Sequence, residues 1–211
     1  MYTLFISKIS KLLDLNPYEI QTQYEDAVFR REFGMRLPKE HTFFRQDIEL
    51  PELKHQLKIV RNPIMLRKMV DCEDRCVYGT KNENIVIEHL IDRNHWNITS
   101  QQKLVRYKIP GTEQWQLSGK IDGIREYPKG GNRLIEVKCR INGFSGIREN
   151  ELIQVQLYLL ATGLKSCLFL EAYRNSVNAH TIQRNEAYIA ILVESIRQLT
   201  HHLDTNRQRL C

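Results

Sequence analysis

Residues 115–140 read WQLSGKIDGIREYPKGGNRLIEVKCR, and the organisation of the chain follows from their alternation. Residues 115–124 and 133–140 alternate apolar and polar side chains, which predicts two strands. Between them Pro128-Lys129-Gly130-Gly131-Asn132 has the chemistry of a turn. A period of two puts Ser118, Lys120 and Asp122 on one face of the first strand. On the second it puts Glu136 and Lys138 on one face and Ile135, Val137 and Cys139 on the other. Pairing across the turn brings Asp122 close to Glu136 and Lys138. Two carboxylates converging on one point repel each other unless a divalent cation occupies it. A hard cation such as Mg²⁺, with waters completing its shell, suits such a pair. The lysine can then orient a water, or help deprotonate it, for in-line attack on phosphorus. A cross-strand surface pair between Glu136 and Lys138 is the plain alternative, because so short a motif recurs by chance.

Two flanking helices add polar residues at apolar positions. A helix is predicted over 81–93, opened by Gly79-Thr80, with Val86, Ile87 and Leu90 three, four and seven residues after Glu83. Glu83 therefore lies on the apolar face, where a carboxylate is costly unless paired or metal-bound. A second helix is expected over 149–164, closed by Gly163, and there Gln156 has Leu152, Ile153, Leu159 and Leu160 as helical neighbours. Gln154 shares a face with Glu151 and Tyr158 instead. One buried glutamine could simply bond a nearby backbone group. Two polar anomalies flanking the hairpin favour a site.

The remaining elements are a helix from an N-cap at Ser7 towards Asp14, ended by Asn16-Pro17-Tyr18, and a helix over about 19–33. Strands are expected at 103–109 and 166–173, and a long amphipathic helix at about 183–205. Residues 35–75, interrupted by Pro38, Pro51 and Pro63, read as short helices and loops forming a basic insertion in a single domain spanning 1–211. The class is mixed α/β, a small sheet flanked by helices.

Composition fits a folded chain, with 42% hydrophobic and 27% charged residues. The formal charge of +6 favours a polyanionic partner. It is concentrated in two windows. Residues 51–70 carry Lys54, Lys58, Arg61, Arg67 and Lys68 against Glu52. Residues 120–148 carry Lys120, Arg125, Lys129, Arg133, Lys138, Arg140 and Arg148 against Asp122, Glu126 and Glu136. Such clusters suit a phosphate track, although a solvated basic face has the same composition. No apolar run is long enough for a membrane span, and the first residues do not form a signal peptide. Five scattered cysteines suit a reducing, cytoplasmic or nuclear setting, and Cys72-x3-Cys76 lacks the second pair of a zinc site.

Asp122 followed by Glu136-Val137-Lys138 resembles the signature of the PD-(D/E)XK nuclease superfamily, and more narrowly its lambda-type (YqaJ-like) exonucleases of phages, viruses and bacteria. Ser7 to Pro17-Tyr18 is similar to that group's early serine helix. Gly79 to Glu83 matches its G-x-x-x-E helix start, and Gln154-Val155-Gln156 follows the hairpin in the family's order. The resemblance covers roughly residues 7–164. It implies a restriction-endonuclease-like core and a Mg²⁺- or Mn²⁺-dependent DNA nuclease, virus- or phage-encoded. Glu83, Asp122 and Glu136 would be acidic metal-site residues, with the Val137 carbonyl as a backbone ligand. Lys138 would position the nucleophilic water, and Gln156, ahead of Gln154, would support the lysine or the phosphate. Ser7 would touch a phosphate, and Lys120, Arg140 and the 51–70 cluster would track the backbone. Departures bear on end-directed digestion. The family's arginine upstream of the serine has no counterpart here, Ile121 replaces a proline, and Asp14 replaces a glycine. An RNA endonuclease with the same hairpin, or a non-catalytic DNA-binding subunit, are the rival readings, and a homo-oligomer stays open.

Overall fold

Leu134, Ile135 and Val137 are fully buried, which makes residues 133–140 an interior strand rather than a surface one. The computed structural model describes residues 1–13, 15, 21–37, 58–65 and 75–210, with backbone alone at 22, 58–65 and 75–81. Among them the elements run in order as β1 (Tyr2–Phe5), a 3-10 turn (Ile6–Lys8), α1 (Ile9–Leu12), α2 (Gln21–Phe33) and β2 (Lys58–Met65). Next come α3 (Arg75–Asn94), β3 (Ile98–Thr99), β4 (Leu104–Lys108), β5 (Trp115–Lys120) and β6 (Gly123–Arg125). The chain continues through β7 (Arg133–Arg140), α4 (Glu149–Thr162), β8 (Ser166–Tyr173), β9 (Ser176–Gln183) and α5 (Glu186–Leu210).

Two sheets result. One has the order β2-β9-β8-β7-β6-β3 and the other β1-β5-β4. In the larger sheet β7 runs antiparallel to β6 and parallel to β8, with Glu136 opposite Phe169 and Lys138 opposite Glu171. A parallel neighbour needs a crossover, and α4 supplies it. Alternation along β7 and β8 feeds two cores. Ile135, Val137, Leu168 and Leu170 pack with Val86, Ile87 and Leu90 of α3. Leu134, Cys167 and Phe169 join Ile153, Leu157, Leu192 and Ile196 of α4 and α5. Full burial of each aliphatic side chain contributes about 1.5–3 kcal/mol. α4 stops at Gly163, whose φ of 72° is the left-handed cap conformation that glycine adopts without strain.

The hairpin, α4 and β8 lie where the periodicity places them. Elsewhere tertiary pairing overrides local preference. Ser7 caps no helix: residues 2–5 are extended because β1 pairs in parallel with β5 and buries Leu4, so helix begins only at Ile9. Within 35–75, where short helices and loops are expected, residues 58–65 instead form β2, paired antiparallel with β9. β2 is an edge strand with an irregularity between Val60 and Ile64, which is how Pro63 is accommodated. The rest of 38–74 lies outside the described residues. α3 starts at Arg75, so Gly79 and Thr80 sit inside the helix instead of opening it. β9 was not anticipated, and α5 begins after it at Glu186. The predicted strand over 115–124 is broken at Ile121-Asp122: β5 belongs to the smaller sheet and β6 to the larger. Strict alternation therefore does not carry from Ser118 to Asp122.

Candidate active site

The break between β5 and β6 places Asp122 at the point where the chain changes sheets. Its side chain is 8% exposed. Oδ2 accepts the Val137 N–H at 2.8 Å and Oδ1 accepts from Gln102 Nε2 at 3.4 Å. Glu136 is 2% exposed on the neighbouring strand. Its Oε1 forms an ion pair with Lys138 Nζ and accepts from Gln154 Nε2 at 3.0 Å, while its Oε2 is buried without a hydrogen-bond partner among the described residues. α3 brings Glu83 to the same group, close enough for Asp122 and Lys138 to act on its charge.

The electrostatics record this convergence. Burial pushes Glu83 up to about 7, and repulsion from Asp122 adds to it. Burial raises Asp122 against the pull of Lys138 and of the Val137 amide. Burial also raises Glu136, opposed by Lys138 and reinforced by Asp122 and Glu83. Burial works against the Lys138 cation, but the Glu136, Asp122 and Glu83 carboxylates outweigh it and keep the ammonium charged. Three acids around one lysine are thus short of positive charge. Among the described residues no three His, Cys, Asp or Glu side chains form a ready-made ligand cluster.

The two glutamines have different partners. Gln156 is fully buried, donates to the Gln183 carbonyl at 2.8 Å and accepts the Asn185 N–H at 3.0 Å. It ties α4 to the chain between β9 and α5, and Gln154 is the residue at Glu136. α4 is buried almost all round, from Glu151 to Leu159, so an apolar neighbourhood does not identify the face turned to the hairpin. We expect Gln154→Ala to remove the hydrogen bond to Glu136 with little loss of stability. Gln156→Ala should instead cost about 1–3 kcal/mol, because it removes a fully buried side chain together with its bonds to the Gln183 carbonyl and the Asn185 N–H. Urea denaturation of the two variants separates them.

Tyr158 was not anticipated. It is 3% exposed and donates its hydroxyl to the Lys120 carbonyl at 2.8 Å. Glu151, Gln154 and Tyr158 share one helix face, and that spacing was the signal available. The ring needs the glycine beneath it, since a Cβ on Gly119 would meet Tyr158 Cε1 at 2.7 Å and the hydroxyl at 2.9 Å. Gly119→Ala should therefore destabilise by about 1–3 kcal/mol, read as a lower melting temperature. An unchanged melting temperature contradicts this packing.

Arg140 points into the protein. The expected phosphate contact is 7% exposed and forms a buried ion network instead. Nε donates to Glu171 at 2.8 Å, Nη1 and Nη2 donate to Glu151 at 2.6 and 2.9 Å, and Nη2 also reaches the Gly146 carbonyl at 2.9 Å. Ser7 and Lys120 are exposed, and the parallel pairing of β1 with β5 sets both at the strand ends that lead towards Asp122. Lys58 and Arg61 lie on β2, three strand positions from β7, or about 14 Å at the usual spacing. Lys54, Arg67 and Lys68 fall outside the described residues. Val137 is fully buried and gives its N–H to Asp122.

No family model and no curated protein sequence matches the chain. Solved structures do. The crystal structure of an alkaline exonuclease (LHK-Exo) from Laribacter hongkongensis aligns with a TM-score of 0.65 at 15% identity, covering 99% of this chain and 91% of that one. The structure of LHK-Exo in complex with dAMP aligns at 0.62 and 15% identity, covering 98% and 90%. The crystal structure of SSO0001 aligns at 0.56 and 10% identity, covering 95% and 76%. The architecture is therefore that of the restriction-endonuclease-like fold, a mixed sheet flanked by helices. At these identities the likeness speaks for the fold, and the chemistry rests on the residues of this chain.

Proposed function

We propose that the chain is a divalent-metal-dependent DNA nuclease of the PD-(D/E)XK type. The observation that carries the reading is Asp122, fixed by the Val137 amide, beside the Glu136–Lys138 pair, in which Glu136 Oε2 has no partner among the described residues. The likeness to a protein described as an alkaline exonuclease supports it. A carboxylate oxygen orphaned among the described residues, with Asp122 raised by burial and Glu83 by burial and by repulsion from Asp122, fits a hard cation better than it fits an empty cavity. Asp122 and Glu136 would hold Mg²⁺ or Mn²⁺, with Glu83 nearby and waters filling the other positions, since Mg²⁺ commonly binds through one or two carboxylates. When bound, the ion would neutralise charge on the scissile phosphate. Lys138, 23% exposed and pinned by Glu136, would orient the attacking water. Gln154 would keep Glu136 from turning away from the site.

The deciding experiment is a digestion time course on linear duplex, closed circular and single-stranded DNA and on RNA, with Mg²⁺, Mn²⁺ or EDTA. Metal-dependent loss of DNA is expected, and a preference for linear over circular molecules is the mark of an end-directed enzyme. No cleavage of any substrate overturns the reading. Asp122→Asn should weaken Mn²⁺ binding in calorimetry by at least the roughly ten- to hundredfold that even outer partners of metal sites contribute. Unchanged affinity removes Asp122 from the metal site.

A further inference from the structure

Beyond the acids, the loop between β7 and α4 carries a feature that cleavage chemistry does not use. Ile141 and Phe144 are among the most exposed large apolar residues described, at 47% and 40%. Phe144 meets Tyr173 edge-on, with ring centroids 5.8 Å apart, and the Arg174 guanidinium lies 5.2 Å from the centre of the Tyr173 ring. The backbone beneath is held firmly. Glu171 accepts the Ser145 N–H at 2.6 Å and the Gly146 N–H at 3.2 Å, and Arg140 donates to the Gly146 carbonyl. A buried charged network thus fixes a loop whose outer side presents apolar and aromatic surface to water.

The position is informative. Tyr173 pairs with Arg140 in the β7–β8 register, and the loop starts three residues beyond Lys138. That is about 10 Å along a strand. Bases on one DNA strand follow each other at about 3.4 Å, so a strand with a phosphate at Lys138 reaches this surface within a few nucleotides. Arg148 and Arg174, both exposed, flank it with positive charge.

We propose that Ile141, Phe144 and Tyr173 form a stacking platform for a nucleobase of the strand held at Lys138. This rests on the nuclease reading above. Every base offers a flat π-face to an aromatic ring, so the platform accepts bases without regard to sequence. A second copy of the chain is a poorer occupant. A stable protein interface covers about 800 Å² per partner, far more than three side chains supply.

The test is an equilibrium titration in EDTA, where metal-dependent cleavage is absent, using single-stranded oligonucleotides with 2-aminopurine placed at successive positions. The wild-type protein should change the fluorescence at one or two adjacent positions. Phe144→Ala should abolish that change and weaken binding about tenfold, Phe144→Trp should retain both, and Ile141→Ala gives an independent second probe. Equal affinity and fluorescence for Phe144→Ala and wild type overturn the platform. So does a Phe144→Ala that shifts the sedimentation of the protein alone and leaves the oligonucleotide signal intact, since the patch then belongs to self-association. The titration requires no turnover. A protein that shows the fluorescence pattern yet never cleaves overturns the nuclease reading and keeps the platform; a protein that binds no oligonucleotide overturns both.

Discussion

Lys138→Ala is expected to lower the cleavage rate by about a hundredfold to ten-thousandfold, the range associated with a positioned proton-transfer group. Oligonucleotide affinity should change little. The Lys138 ammonium lies among Glu136, Asp122 and Glu83, which hold it charged despite its burial. A side chain so placed has only part of its surface open to substrate, so it adds less to overall affinity than the exposed basic residues do. Removing it leaves Glu136 buried without its ion-pair partner. The cost to folding is limited, because burial and the neighbouring acids already raise the Glu136 pKa and the carboxyl can take up a proton. A digestion time course, fluorescence anisotropy binding and a melting curve on the same preparation separate chemistry from affinity and folding. A near-normal rate removes Lys138 from the chemistry, whatever the binding data show.

Arg140→Ala is expected to cost about 3–5 kcal/mol of stability, the penalty for removing one partner of a buried ion network. Glu171 is 1% exposed and Glu151 6%. Burial alone would raise Glu171, yet the nearby His180 ring and the bonds from the Ser145 amide and Arg140 hold it down to about 2. Without the guanidinium, two buried carboxylates lose their shared counter-ion, and the loop at Gly146 loses a tether. Arg140→Lys keeps the charge but not the fork that reaches both acids, so it should recover only part of the loss. The urea midpoint is the measurement. An unchanged midpoint accompanied by weaker DNA binding would restore the role first expected of Arg140, a contact to the phosphate backbone.

The contrast between Lys138 and Arg140 explains how far the site could be read in advance. Both lie on the same face of β7, two residues apart, and both are basic. Lys138 has its acid at Glu136, so the pairing is visible in the local pattern. The partners of Arg140 come from α4 and β8. Nothing near it in the chain distinguishes a buried structural arginine from one that meets a phosphate. Gln154 and Gln156 pose the same difficulty. A helix packed between the smaller sheet and α5 is apolar on nearly every side, so helical spacing groups residues by face without saying which face meets the hairpin. β1 and β2 show the limit for the backbone as well. Residues 2–5 and 58–65 become strands because β5 and β9 lie open beside them, and that depends on chain more than a hundred residues away.

Residues 115–140 by themselves determined the hairpin, its turn and the approach of Asp122 to Glu136 and Lys138. Alternation, turn chemistry and close sequence spacing act within one hairpin and need no distant partner. The apolar stripe of α3 determined that Glu83 faces inward, because helical periodicity is equally local. Tertiary structure alone decided the break at Ile121-Asp122 that aims the aspartate at the Val137 amide. It also decided the choice of Gln154 over Gln156, the Tyr158–Gly119 contact and the burial of Arg140. Each of these depends on where separate elements meet, and close packing between elements sets burial, hydrogen-bond partners and charge environment together.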